Sequence, residues 1–177
     1  DATNFLVKVG NPVTLGNTTA TALNGLVKSL KTADVWNNVQ VIYPFIGTAE
    51  TNGQNLKSAS HTIIWSGTFP TNDATGPNGS ASGSAYGDTQ YVPVGTNASF
   101  FFSVKAFDTT AGTYDAMAGV YDGSTKRTYF NQGSYSGGSA SFQVFIHNDN
   151  GTSLGSQSMT NPSSAMFVRS NNTLISY

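Results

Sequence analysis

Apolar positions recur at intervals of three and four early in the chain: Ala22, Leu23, Leu26, Val27, Leu30 and Ala33, with Lys28 and Lys31 between them. This spacing predicts an amphipathic helix from about Thr19 to Ala33, because residues three and four apart share one face of a helix. Asn17, Thr18 or Thr19 can cap its start with a side-chain oxygen, and Lys31 complements the dipole in its last turn. The apolar face is expected to pack on Trp36 and on the run from Val39 to Ile46, where Pro44 marks an edge or a strand end. Residues 1–47 thus read as a lead segment holding one helix and a first strand.

From about Thr48 the period changes to two. Along Ser99 to Phe107, Phe100, Phe102, Val104 and Ala106 alternate with Phe101, Ser103, Lys105 and Phe107, as the two faces of a central strand require. Further strands are expected at His61 to Trp65, Tyr114 to Tyr121, Thr128 to Gln132, Ser141 to His147, Ala165 to Arg169 and Thr173 to Tyr177. Asp122-Gly123 and the run Asn148 to Gly151 read as hairpin turns, since these residues tolerate positive φ. The stretch from Asn72 to Gly87, rich in Gly, Ser and Ala, reads as an ordered surface loop. Short strands between regular turns predict an all-β body, an antiparallel jelly-roll type β-sandwich over 48–177 preceded by one short amphipathic α-helix.

Composition narrows the partners. The chain has 177 residues, no cysteine and 19 glycines, and only 10% of its residues are charged. Its length is enough for one core without a disulfide or metal. Eight basic and nine acidic side chains leave a formal charge of −1, which lacks the basic footprint of a nucleic-acid binder. No apolar run reaches the length of a membrane span, and the first residues, Asp1 to Gly10, show no basic segment followed by an apolar one. Neither nucleic acid nor a membrane is therefore expected as a partner.

Several segments, in order, carry a resemblance: Leu23 to Trp36, then Ile42-Tyr-Pro-Phe-Ile-Gly47, Asn55-Leu-Lys57, Gly76-Pro-Asn-Gly79, Ala85-Tyr-Gly-Asp-Thr89 and Asp115 to Asp122. Together they resemble a family of bacteriophage tail-fibre and virion-surface structural proteins whose body is similar to laminin-G and concanavalin-type sandwiches. The resemblance implies a component of the particle surface, in a fibre or decorating a capsid, that assembles with copies of itself and other virion proteins and attaches to surfaces without catalysis. A carbohydrate-binding module that recognises a host-surface glycan is the first alternative, and a glycoside-processing enzyme of the same sandwich class the second. The family pattern continues past a strand like Met166 to Tyr177. The sandwich is therefore expected to be incomplete at that end: either the sequence is a piece of a longer chain, or the closing strands come from elsewhere, for instance a neighbouring subunit lending a strand to the open edge beside the last one.

The residues offer little catalytic chemistry. Glycoside hydrolysis needs two carboxylates across the scissile bond. Glu50 is the one glutamate, and the eight aspartates stand mostly in turn contexts. His61 and His147 are the two imidazoles, each at a strand end, and no Gly-x-Ser-x-Gly elbow accompanies them. Two histidines without cysteine do not suggest zinc. No cofactor is expected. Calcium could be held only if loops around Asn148 to Gly151, Asp122, Asp108 and Asp88 converged, because it takes six to eight oxygens. The surface best suited to a ligand is the long loop with Tyr86, Asp88 and Tyr91 and nearby Asn78, since sugar rings stack on aromatic faces while Asn and Asp bind hydroxyls.

Overall fold

A computed structural model describes residues 2–9, 12–46, 51–67, 71–73, 76–78, 86–91, 98–104, 115–121, 127–132, 140–146, 156–159, 163–170 and 173–176. The chain divides into two units, Asp1–Tyr91 and Val92–Tyr177.

The first unit begins with two helices, α1 (Ala2–Lys8) and α2 (Pro12–Thr32). In α1 the residues Ala2, Phe5 and Leu6, with Val9 just past its end, recur at intervals of three and four, and all four are buried. Pro12 starts α2, a position where its missing N–H leaves no helical bond unmade. Gly16 then breaks the helix with φ 76° and ψ 151°, backbone that a residue with a Cβ adopts with difficulty. Beyond this break Leu23 and Val27 are buried one turn apart, while Leu26 is largely exposed. The buried stripe is thus narrower than the full set of apolar positions. Leu56 from the following irregular segment closes the cluster, with Ala20, Trp36, Ile42 and Ile46 packed at its margin.

The end of α2 is closed by its own backbone. Asp34 adopts φ 57°. The Val35 N–H then donates to Leu30 O at 3.0 Å and the Asp34 N–H to Lys31 O at 3.1 Å, the paired bonds of a Schellman cap. The chain next runs without regular structure through Tyr43 and Pro44, where a strand was expected. It is held instead by Asn55, whose side chain accepts from the Ile42 N–H as a strand partner would.

Strands β1 (Ile64–Ser66) and β4 (Tyr86–Asp88) pair antiparallel, and β2 (Thr71–Asp73) and β3 (Gly76–Asn78) form a second ribbon between them in sequence. In the second unit β5 (Ala98–Val104), β10 (Ser163–Ser170) and β11 (Thr173–Ser176) make a three-stranded sheet in the order β11-β10-β5. Strands β6 (Asp115–Tyr121), β7 (Arg127–Gln132), β8 (Ala140–Ile146) and β9 (Ser156–Met159) make a four-stranded sheet in chain order. Every pairing is antiparallel, with one irregularity in β6 between Ala116 and Ala118. Such a one-sided insertion is the mark of a bulge.

These elements correct the expected fold. The described residues do not form a jelly-roll sandwich preceded by one short helix. Two helices, not one, build the core of the first unit, and each of its described sheets has two strands. The largest sheet, β6-β7-β8-β9, joins sequence neighbours only, whereas a jelly roll is made of Greek keys with long returns between non-neighbours. The physical reason is that alternation marks a segment as extended and says nothing about its partner. Helix α1 is too short for its periodicity to stand out, and β3 forms inside the stretch expected to be a loop while β2 and β4 overlap its two ends. Glu50, Asp108, Asp122, His147 and the turn Asn148 to Gly151 lie outside the described residues.

Candidate functional site

The site is built on the β1–β4 ribbon. Its register places Ile64 opposite Asp88, Trp65 opposite Gly87 and Ser66 opposite Tyr86. Alternation then gives two faces. Trp65 and Gly87 share one with Ile63; Ile64, Ser66, Tyr86 and Asp88 share the other.

The inner face is fitted too closely for any extra atom. A Cβ on Gly87 would stand 2.6 Å from both Ile63 and the Trp65 ring, and one on Gly53 would stand 2.9 Å from Ile63. Glycine is required at both places so that backbone can approach the indole. Phe45 flanks the same indole at a centroid separation of 6.4 Å. The Ile63 N–H donates to Gly53 O at 3.0 Å, tying the ribbon to the segment before it.

That segment is organised by Asn55, which is 2% exposed. Its Oδ1 accepts from the backbone N–H of Ile42 and of Lys57, each at 3.0 Å. Its Nδ2 donates to Ser58 Oγ at 3.2 Å and to Ser60 O at 3.1 Å. One amide therefore satisfies backbone groups from strands of chain thirteen residues apart and lets irregular backbone be buried at all. Lys57 donates from Nζ to Trp36 O and lies 4.2 Å above the Trp36 ring, a cation–π contact on a half-buried indole.

Past the Ile64–Asp88 pair the two strands are clasped. His61 and Gln90 both take positive φ, 59° and 52°. They meet through His61 Nδ1 and Gln90 O at 3.1 Å. Because a carbonyl only accepts, this bond requires the proton on Nδ1. The His61 ring also stands edge-on to Tyr91 at 5.3 Å. Tyr43 donates its hydroxyl to His61 O at 2.6 Å. Burial pushes the Tyr43 phenol up to about 12; neighbouring Tyr91 adds to the rise and a hydrogen bond with Thr89 opposes it. Two short turns complete the clasp, Asp88 Oδ1 accepting from the Gln90 N–H at 2.8 Å and Thr89 Oγ1 accepting from the Tyr91 N–H at 3.3 Å.

The four residues singled out in the sequence thus separate. Tyr86, 60% exposed, and Asp88 project from the same outer face of β4. Tyr91 is half-buried and its ring is engaged by His61. Asn78 belongs to β3, paired with Thr71 in the other ribbon. Sequence reasoning missed Ile64 and Ser66, which only the β1–β4 register brings beside Tyr86 and Asp88, and it missed the organising role of Asn55. Among the described residues no three His, Cys, Asp or Glu side chains are grouped to hold a metal ion. No described helix is long and apolar enough to cross a membrane. Chemically, the outer face offers an aromatic ring, a carboxylate, a hydroxyl and an aliphatic side chain. Compared with protein-family models, with characterised proteins and with solved structures, the chain matches none.

Proposed function

We propose that this chain is a structural component of a bacteriophage particle surface, acting in assembly and attachment. The observation that carries the reading is how the residues of the resembling motif are used. Trp36, Ile42 and Leu56 pack in or against the core, Asn55 bonds four neighbouring groups, and Lys57 closes over Trp36. The motif is spent on holding backbone in place, which is what a subunit that must present a fixed surface to copies of itself requires. A near-neutral chain rich in Ser, Thr and Asn suits such repeated contacts, because it brings hydrogen-bonding groups together without charge repulsion.

In this reading a strand of a second copy lies against β11, an end strand of its sheet among the described residues. Light scattering on the purified chain tests the assembly, and antibody labelling of purified particles by electron microscopy tests the location. The expected result is a trimer or larger species in solution and label on the particle surface. A monomer at high concentration, together with particles that carry no label, would overturn the proposal.

A further inference from the structure

The outer face of the β1–β4 ribbon has a composition that packing does not explain. Tyr86 and Ile64 are 60% and 54% exposed, and they sit diagonally across the ribbon because Tyr86 opposes Ser66 and Ile64 opposes Asp88. Together they give this face a small exposed apolar area on which a ligand's apolar side can rest.

Polar groups flank them at defined positions. Asp88 stands two residues from Tyr86 on the same strand, a separation of about 7 Å along the face. Its Oδ1 accepts from the Gln90 N–H, which fixes the carboxylate's orientation while the carboxylate remains exposed. Ser66 is the residue directly across from Tyr86. The floor beneath is stiff: Trp65 and Ile63 leave no space above Gly87, and the His61–Gln90 clasp pins the end of the ribbon beside Asp88. A site whose parts are already placed loses little freedom on binding.

We infer that this face, formed by Tyr86, Asp88, Ser66 and Ile64, is a binding platform for neutral carbohydrate. The carbon-bound hydrogens on one side of a pyranose stack on the phenol ring of Tyr86 and reach the Ile64 side chain. Hydroxyls at the ring edge donate to Asp88 and exchange hydrogen bonds with Ser66. Charge decides between ligand classes. The four positions hold one carboxylate and no cation, so the face repels phosphate, sulfate and uronic-acid polymers and accepts uncharged polyols. Tyr91 is outside the platform: its ring supports His61, and it acts on the site through the clasp.

This inference supplies a ligand class for the attachment half of the proposed function and rests on that half alone. The test is a printed array of oligosaccharides built from neutral hexoses, deoxyhexoses and N-acetylhexosamines, with sulfated and uronic-acid glycans on the same slide, probed with the full chain. Binding to at least one neutral glycan is expected, with the charged ones blank. Tyr86→Ala should weaken that signal at least tenfold, Asp88→Asn should weaken it severalfold, and Tyr86→Phe should retain most of it because the stacking face survives. Near-UV circular dichroism of each variant should match the parent, since both side chains are exposed. An array with no neutral signal, a preference for the charged glycans, or binding that survives both Tyr86→Ala and Asp88→Asn would overturn the inference. Particle labelling is unaffected by any of these results, so a failure here is distinct from a failure of the assembly reading.

Discussion

The helical pair and the irregular segment that follows it each bury part of their side chains, by opposite means. In α1 and α2 the interior is Ala2, Phe5, Leu6, Val9, Leu23 and Val27, and the backbone bonds itself within each helix. Between Asn52 and Ile63 the backbone has no such ladder, and the buried side chains include Asn52 and Asn55. Apolar burial depends on volume and little on direction, whereas a buried amide is useful only while each of its atoms meets a partner at the right angle. The first region should therefore tolerate exchange of one apolar shape for another, and the second should not.

The sharpest way to break this comparison is to substitute one residue in each region at nearly constant volume. Leu23→Met keeps an apolar side chain of similar size and should cost less than about 1.5 kcal/mol. Asn55→Leu leaves the N–H groups of Ile42 and Lys57 and the carbonyl of Ser60 without the bonds the amide supplies. These groups are part-buried, so at up to roughly 1 kcal/mol for each the loss should reach about 2–3 kcal/mol in urea unfolding. Equal losses for the two variants would show that Asn55 is held by packing and not by its bonds.

Gly87→Ala probes the boundary where the segment meets the ribbon. The added methyl would stand 2.6 Å from Ile63 and Trp65, side chains that cannot swing clear without moving the ribbon floor. Overpacking of this kind costs about 1–3 kcal/mol, and quenching of the Trp65 fluorescence should change with it. The same substitution at Gly25, which has nothing within 4 Å, should be neutral or slightly stabilising because alanine favours helix.

Tyr43 tests whether the clasp depends on a protonated phenol. Burial pushes its phenol pKa in the folded chain up to about 12, above the ordinary 10.0. Between these values the unfolded chain has released the proton and the folded chain retains it. Stability contributed by the protonated phenol is thus complete below pH 10 and is lost as pH rises towards 12. Tyr43→Phe should cost about 1 kcal/mol at neutral pH through the missing bond to His61 O, and should flatten this alkaline decline. Thermal melts across that window check both. A decline of the same steepness in Tyr43→Phe would assign it to other groups.

Legibility in the sequence followed the same division. The spacing of Leu23, Val27 and Leu30 announced α2 because a helix is made of contacts between near neighbours, all of which stand on one line of text. The alternation through Phe100, Phe101 and Phe102 announced an extended segment for the same reason. What could not be read was partnership. That β10 lies between β5 and β11, that β6 to β9 pair only in chain order, and that β4 returns to β1 across the β2–β3 ribbon are facts about distant residues. Ser66 and Ile64 joined Tyr86 and Asp88 through that return alone. Asn55 stood in the resembling motif, but its bonding role was not legible for a related reason: an asparagine between polar residues looks like a turn residue, and its bond to Ile42, thirteen positions away, shows otherwise.

The smallest expected effect lies at the junction of the two regions, where α2 stops and the irregular chain starts. Asp34 occupies the left-handed position of the Schellman cap at φ 57°, a place where a Cβ crowds the backbone and where glycine has no such cost. Its carboxylate also stands at the negative end of the helix dipole, which disfavours it further. Both terms vanish in Asp34→Gly, while the bonds from Val35 and Asp34 nitrogens to Leu30 and Lys31 remain available. The extra freedom glycine brings to the unfolded chain offsets part of the gain. A net stabilisation of about 0.5–1 kcal/mol should follow, or about 1–4 °C in Tm for a chain of this length. Asp34→Ala, which keeps the Cβ and loses only the charge, should gain less. If instead Asp34→Gly melted lower than the parent, the carboxylate would be contributing a bond that holds the two regions together, and the helix end would belong to the polar network and not to the apolar core.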